Sequence, residues 1–132
     1  MNFVVQAPNR KKTVLVFDVE TSGLLPKKDK SSVNHIPIEA YPYILQLSYA
    51  KYDIVTNTLL ETYDTYIKVK KDVELSQTIT DLTGITRKDI LRGINIIDAL
   101  SRFYEAYITS DVIVAHNNEF DIKMILIEIE RN

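Results

Sequence analysis

Asp18 and Glu20 close the apolar run Val14-Leu15-Val16-Phe17 and are followed by Thr21, Ser22 and Gly23. Side chains of an extended strand alternate between its faces, so these two acids project from one side at the strand's C-terminal end. Two anions held close together in partly desolvated surroundings raise each other's proton affinity unless something positive lies between them. A hard divalent cation, Mg²⁺ or Mn²⁺, is the simplest remedy, since it takes oxygen ligands and is commonly held by one or two carboxylates plus water and substrate phosphate. Asp-x-Glu on an exposed strand is usually only a solvated polar face. Its position at the end of an apolar strand, ahead of a glycine turn, makes it a candidate site here. A second acid-bearing stretch, His116-Asn117-Asn118-Glu119-Phe120-Asp121, follows the short apolar run 111–115. Asp121 would lie in the first turn of a helix, a place where the helix dipole alone favours an acid. His116 would equally suit a buried, hydrogen-bonded histidine.

The elements that must position these residues follow from periodicity. Four consecutive apolar residues predict a first strand buried on both faces. Residues 24–42 form a long connection holding Pro26, Pro37 and Pro42, with Lys27, Lys28 and Lys30 close together. Long connections are often functional; these lysines are either a solvated loop or a grip on a nucleic-acid backbone. Residues 43–54 alternate, with Leu45, Leu47 and Tyr49 on one side and Ile44, Gln46, Ser48 and Ala50 on the other. Residues 59–70 alternate again after a turn at 55–58, predicting an antiparallel hairpin. The first strand should join it as a three-stranded antiparallel unit with the carboxylate strand innermost. Residues 75–92 are helical in pieces: one stops at Gly84, and another starts on a capping box of Thr86 and Asp89 and ends near Gly93. Ile96, Ala99, Leu100, Phe103, Tyr104 and Tyr107 recur at helical spacing over residues 96–108. Residues 111–115 predict a fourth strand, parallel to the first through a right-handed crossover. A last helix follows, capped by Asn117 or Asn118. Parallel neighbours end at the same edge, so Asp121 should converge on Asp18 and Glu20.

Composition narrows the class. With 132 residues, 45% hydrophobic and 26% charged, the chain suits one domain, residues 13–132, behind an irregular N-terminal segment, residues 1–12. No apolar run approaches the ~18 residues of a membrane span, and no secretory leader is evident. The absence of cysteine excludes disulfides, thiolate catalysis and cysteine-based zinc sites, and an intracellular, cytoplasmic or nuclear, location is expected. A net charge of −2 provides no general attraction to nucleic acid. An enzyme that reaches phosphate through a metal ion does not need one.

Three stretches together carry a family likeness. Phe17-Asp18-Val19-Glu20-Thr21-Ser22-Gly23, Asp81-Leu82-Thr83-Gly84-Ile85-Thr86 and Val114-Ala115-His116-Asn117-Asn118-Glu119-Phe120-Asp121 occur in the order and kind of the DnaQ-like DEDD exonucleases, of the DEDDh branch. The chain therefore resembles that family, whose fold is RNase H-like. The resemblance implies an α/β fold: a mixed sheet of three antiparallel strands plus a parallel fourth, with flanking helices. It implies a metal-dependent 3′→5′ exonuclease that hydrolyses phosphodiester bonds of single-stranded DNA or RNA and releases nucleoside monophosphates with two Mg²⁺ or Mn²⁺ ions.

Asp18 would bridge the ions, Glu20 would bind the one that carries the attacking water, and Asp121 would support the other. Thr21, Ser22, Gly23 and Leu24, with His116, Asn117 and Phe120, would hold the terminal nucleotide. The family's third motif, His-x-x-x-x-Asp, is absent after Asp121. The expectation is thus an incomplete exonuclease domain lacking the family's C-terminal strand and helix, nearly inactive alone, with a bare fourth strand prone to self-association. The alternative function is a non-catalytic module that binds single strands or a polymerase partner; a plain α/β domain whose acids are structural is the blandest reading.

Overall fold

The computed structural model describes residues 12–27 and 36–132. The expectations for Lys28, Lys30 and the segment before Lys12 lie outside the described residues. Strands β1 (Thr13–Thr21), β2 (Ile44–Asp53), β3 (Thr58–Tyr66) and β4 (Val112–Ala115) form one sheet in the order β3-β2-β1-β4. The first two pairings are antiparallel, and β1 runs parallel to β4. Helices α1 (Gln77–Thr83), α2 (Arg87–Leu91), α3 (Ile96–Ile108) and α4 (Asn118–Arg131) complete the fold. The mixed sheet with a parallel fourth strand is therefore as expected. Within the antiparallel trio, however, β2 is central; β1 is interior because β4 covers its other edge.

β1 differs from expectation in its burial. Leu15, Phe17 and Val19 are buried, but Val16 on the opposite face is 45% exposed, as is its β4 partner Val114 at 44%. Both α3 and α4 pack on one face: Ala99, Phe103 and Ala106 of α3, with Met124, Ile125 and Ile127 of α4, join Leu15, Phe17, Val19, Leu47 and Tyr49 in the main core. The Phe17 and Phe103 rings meet at 4.9 Å, within the range of favourable tilted aromatic pairs. A four-residue apolar run cannot distinguish covering on one face from covering on two.

The β1–β2 ladder contains an irregularity that moves a side chain across the sheet. Glu20 pairs with Gln46 but Thr21 pairs with Ile44, so Leu45 is an extra residue on β2. A bulge of this kind breaks alternation. Ile44 consequently faces the main core with Leu47 and Tyr49, whereas Leu45 joins a second cluster with Ile85 and Ile90. The strict alternation expected for this strand is wrong at that one step.

The helical pieces match the local signals. Gly84 ends α1 with φ of 77°, a left-handed conformation that favours glycine. Thr86 and Asp89 form a reciprocal capping box, with the Asp89 N–H donating to Thr86 Oγ1 at 3.2 Å and the Thr86 N–H to Asp89 Oδ2 at 2.9 Å. After α2 the chain returns to the end of β3, where Ile67 bridges to Ile94. A Cβ at Gly93 would lie 2.6 Å from backbone atoms of Ile67 and Lys68, so close backbone approach requires glycine there. Beside β4, α3 and α4 leave an apolar groove of ≈ 690 Å³ lined by residues including Leu100, Tyr104, Ile113, Ile122 and Leu126. The outer edge of β4 faces no strand among the described residues.

Candidate active site

β1 delivers Asp18 and Glu20 to the half-open face of the sheet, opposite the main core, at its C-terminal end. β4 ends at Ala115 beside Phe17, so the chain leaves the sheet just before the level of Asp18 and turns into α4. Asp121, in the first turn of that helix, is 1% exposed. Its Oδ2 accepts the Asn117 N–H at 3.0 Å, and the Val19 N–H of β1 lies near enough to lower its proton affinity. Asp121 thus sits close to the strand between the two other acids. Asn117 occupies the cap position of α4 without making a side-chain cap; the carboxylate of Asp121 reaches back to its backbone instead.

The three carboxylates affect one another electrostatically. Burial is the main influence pushing the Glu20 carboxyl above its ordinary value, and the negative charges of Asp18 and Asp121 add to it. Burial likewise raises Asp121, against the stabilising Asn117 N–H, with Asp18 raising it further. His116, exposed at the end of β4, works in the other direction on both Glu20 and Asp121, as a nearby positive charge does. Among the described residues no three His, Cys, Asp or Glu side chains already form a metal cage. An oxygen-only donor set in which the charge of Asp18 raises the proton affinity of Glu20 and Asp121 is chemically suited to a hard divalent cation, which would relieve that repulsion.

The hydroxyls after Glu20 shape the turn. Thr21 Oγ1 donates to the Gly23 carbonyl at 2.7 Å. Ser22 and Tyr43 are doubly linked: the Ser22 N–H donates to the Tyr43 carbonyl and the Tyr43 N–H to Ser22 Oγ, both at 2.9 Å. Leu24 stands 88% exposed beyond the turn, and Phe120 packs partly against the main core.

Comparison with known proteins settles the family. The profile of the RNase_T family, described as Exonuclease, matches residues 15–132. The chain belongs to the RNase_T exonuclease family. Among its relatives, DNA polymerase III PolC-type of Streptococcus suis (strain 98HAH33) is 32% identical over 119 residues, 90% of this chain and 7% of that protein. The same-named protein of Bacillus subtilis (strain 168) is 30% identical over 125 residues, again 90% of this chain and 7% of the relative. The chain thus spans a small fraction of the length of the curated relatives it matches. Its fold is shared with the nuclease domain of 3′hExo, a DEDDh family member solved bound to rAMP, with a TM-score of 0.66 and 15% identity over 92% of this chain and 61% of that one. It is shared too with E. coli exonuclease I in complex with a dT13 oligonucleotide, with a TM-score of 0.63 and 19% identity over 87% of this chain and 22% of that one. The fold shared with these nuclease structures is therefore the frame in which the chain's acids stand.

One pair of residues escaped the sequence reading. Glu128 is 1% exposed, and its Oε1 accepts Arg131 Nη1 at 2.6 Å while its Oε2 accepts the Ile44 N–H at 3.2 Å. Burial raises the Glu128 carboxyl, and Arg131 opposes that shift. The available signal was spacing. Asp121, Met124, Ile125 and Glu128 lie on one helical face, so an acid recurred at an inward position.

Proposed function

We propose that this chain contributes the carboxylates of a divalent-metal-dependent exonuclease site acting at the 3′ end of single-stranded DNA or RNA. The supporting observation is the electrostatic convergence of Asp18 and Glu20, from the end of β1, with Asp121, from the first turn of α4. These three would hold Mg²⁺ or Mn²⁺, which when bound would stabilise the charge developing on the phosphoryl and leaving oxygens and make water a stronger nucleophile. Thr21 to Leu24 would lie against the terminal nucleotide, the turn held by its internal hydroxyl bonds and by Tyr43. Leu24 offers an apolar face to the base, and Asn117 and Phe120 border the site from the α4 side. His116 would contribute positive charge near the phosphate. In the reaction the hydroxyl of one water bonds to phosphorus, the bond to the preceding nucleotide's 3′-oxygen breaks, and that oxygen takes up the remaining proton. A nucleoside monophosphate is released.

Calorimetric titration with Mn²⁺ tests the site directly. The wild-type chain should bind the ion and Asp18→Asn should bind it at least about tenfold more weakly, the loss of a charged ligand being worth ~1.4 kcal/mol or more. Equal binding would remove Asp18 from the site. With the family's third motif supplied in a longer chain, a 3′-labelled oligonucleotide then separates enzyme from binding module. Release of mononucleotides that Asp18→Ala and Asp121→Ala abolish supports hydrolysis, whereas strand binding indifferent to both substitutions supports the module.

A further inference from the structure

The two ends of α4 serve one site. Its first turn supplies Asp121, and its last turn grips the chain entering β2. Arg131 Nη1 donates to the Pro42 carbonyl at 3.1 Å, and Nη2 to the carbonyls of Ile38 at 3.0 Å and Tyr41 at 2.9 Å. The guanidinium also lies 3.8 Å from the Tyr43 ring centroid, a close cation–π contact. Its remaining Nη1 bond goes to Glu128, whose other oxygen holds the Ile44 N–H. Residues 38–44 are thus clamped to α4 from Ile38 to Ile44, and within them Tyr43 makes both of its backbone bonds to Ser22. The sequence of contacts runs from Arg131 through Tyr43 to the turn that follows Glu20.

We propose that Glu128 and Arg131 are positioning residues of the site, setting the place of the Thr21 to Leu24 turn and hence the affinity for the terminal nucleotide, without touching the metal ligands. This rests on the proposed function. Arginine's planar fork is suited to this task, because its two terminal nitrogens reach three carbonyls and a carboxylate at once. A lysine keeps the charge that Glu128 needs but has a single ammonium, which cannot span the same acceptors.

The test compares wild type with Arg131→Lys in two measurements. Binding of thymidine 5′-monophosphate in the presence of Mn²⁺ should weaken about tenfold, the scale of one lost charge-assisted hydrogen bond. Affinity for Mn²⁺ alone should stay within about twofold, since no ligand moves; a general loss of structure would weaken both. Hydrogen exchange at the Ser22 amide, which donates to Tyr43, should accelerate while amides in the β1–β2 ladder before Val19 remain protected. Unchanged nucleotide binding together with an unchanged Ser22 amide overturns the inference, as does an equal loss of metal and nucleotide. If wild type binds neither ion nor nucleotide, the proposed function fails, and the Ser22 exchange rate still decides the mechanical link. Should Arg131→Lys not fold, Tyr43→Leu removes the ring beneath the guanidinium while leaving the backbone bonds, and the same split is expected of it.

Discussion

Asp121 and Glu128 lie seven residues apart on one face of α4, and each is 1% exposed, yet their surroundings are opposite. Glu128 has a cation at 2.6 Å and a backbone N–H on its other oxygen. Asp121 accepts the backbone N–H of Asn117, with that of Val19 nearby, has no cation in contact among the described residues, and has the charge of Asp18 working against it. A buried acid with a salt partner holds structure together. One with other acids beside it at a strand end carries negative charge that a bound cation would offset. The company each acid keeps, rather than its burial, distinguishes the two and makes Asp121 the functional candidate.

The sharpest way to break this contrast is to remove the partnered acid. Glu128→Ala leaves the Ile44 N–H without its acceptor and the Arg131 guanidinium without its counter-charge, and loss of one member of a buried pair costs about 3–5 kcal/mol. Urea denaturation should register that loss; a change below about 1 kcal/mol would place Glu128 in the same class as Asp121. Asp121→Asn is the counterpart. It deletes a charge that Asp18 repels while keeping an acceptor for the Asn117 N–H, so metal-free stability should shift by less than about 1 kcal/mol in the same assay. A loss as large as that for Glu128→Ala would show that Asp121 is structural.

The smallest effect is in pH. Glu20 and Asp121 have folded-state values raised above their ordinary 4.5 and 3.8. A raised acid binds more protons in the folded state, so its contribution to stability is complete below the ordinary value and is lost as pH rises through the raised one. Glu128 is raised too and contributes in the same direction. Metal-free protein should therefore lose stability as pH climbs from the ordinary carboxylate range through those raised values, and Glu20→Gln should flatten the slope. Saturating Mn²⁺ should flatten it as well, by favouring the charged forms. A thermal melt series across that range that is identical in wild type and Glu20→Gln, with and without Mn²⁺, would mean that the acids do not interact.

Much of this molecule is written in local pattern. The spacing of Ile96, Ala99, Leu100 and Phe103 specifies α3, and the Thr86/Asp89 capping box and Gly84 set the helix ends. The parallel placement of β4 beside β1 follows from the crossover rule, and it brings Asp121 toward Asp18 and Glu20. These are legible because helical and extended periodicities, caps and crossover handedness depend on near neighbours or on general topology. Three features were decided by tertiary structure. The half-open face of β1 depends on which side α3 and α4 choose; a run of apolar residues does not encode it. Leu45 crosses the sheet because the register shifts between Glu20 and Thr21, an event of pairing rather than of composition. Glu128 finds the N–H of Ile44, 84 residues earlier, and Arg131 finds carbonyls about 90 residues away. Only the closed chain brings such distant groups within hydrogen-bond reach, because sequence periodicity describes a face and not the partner that face will meet.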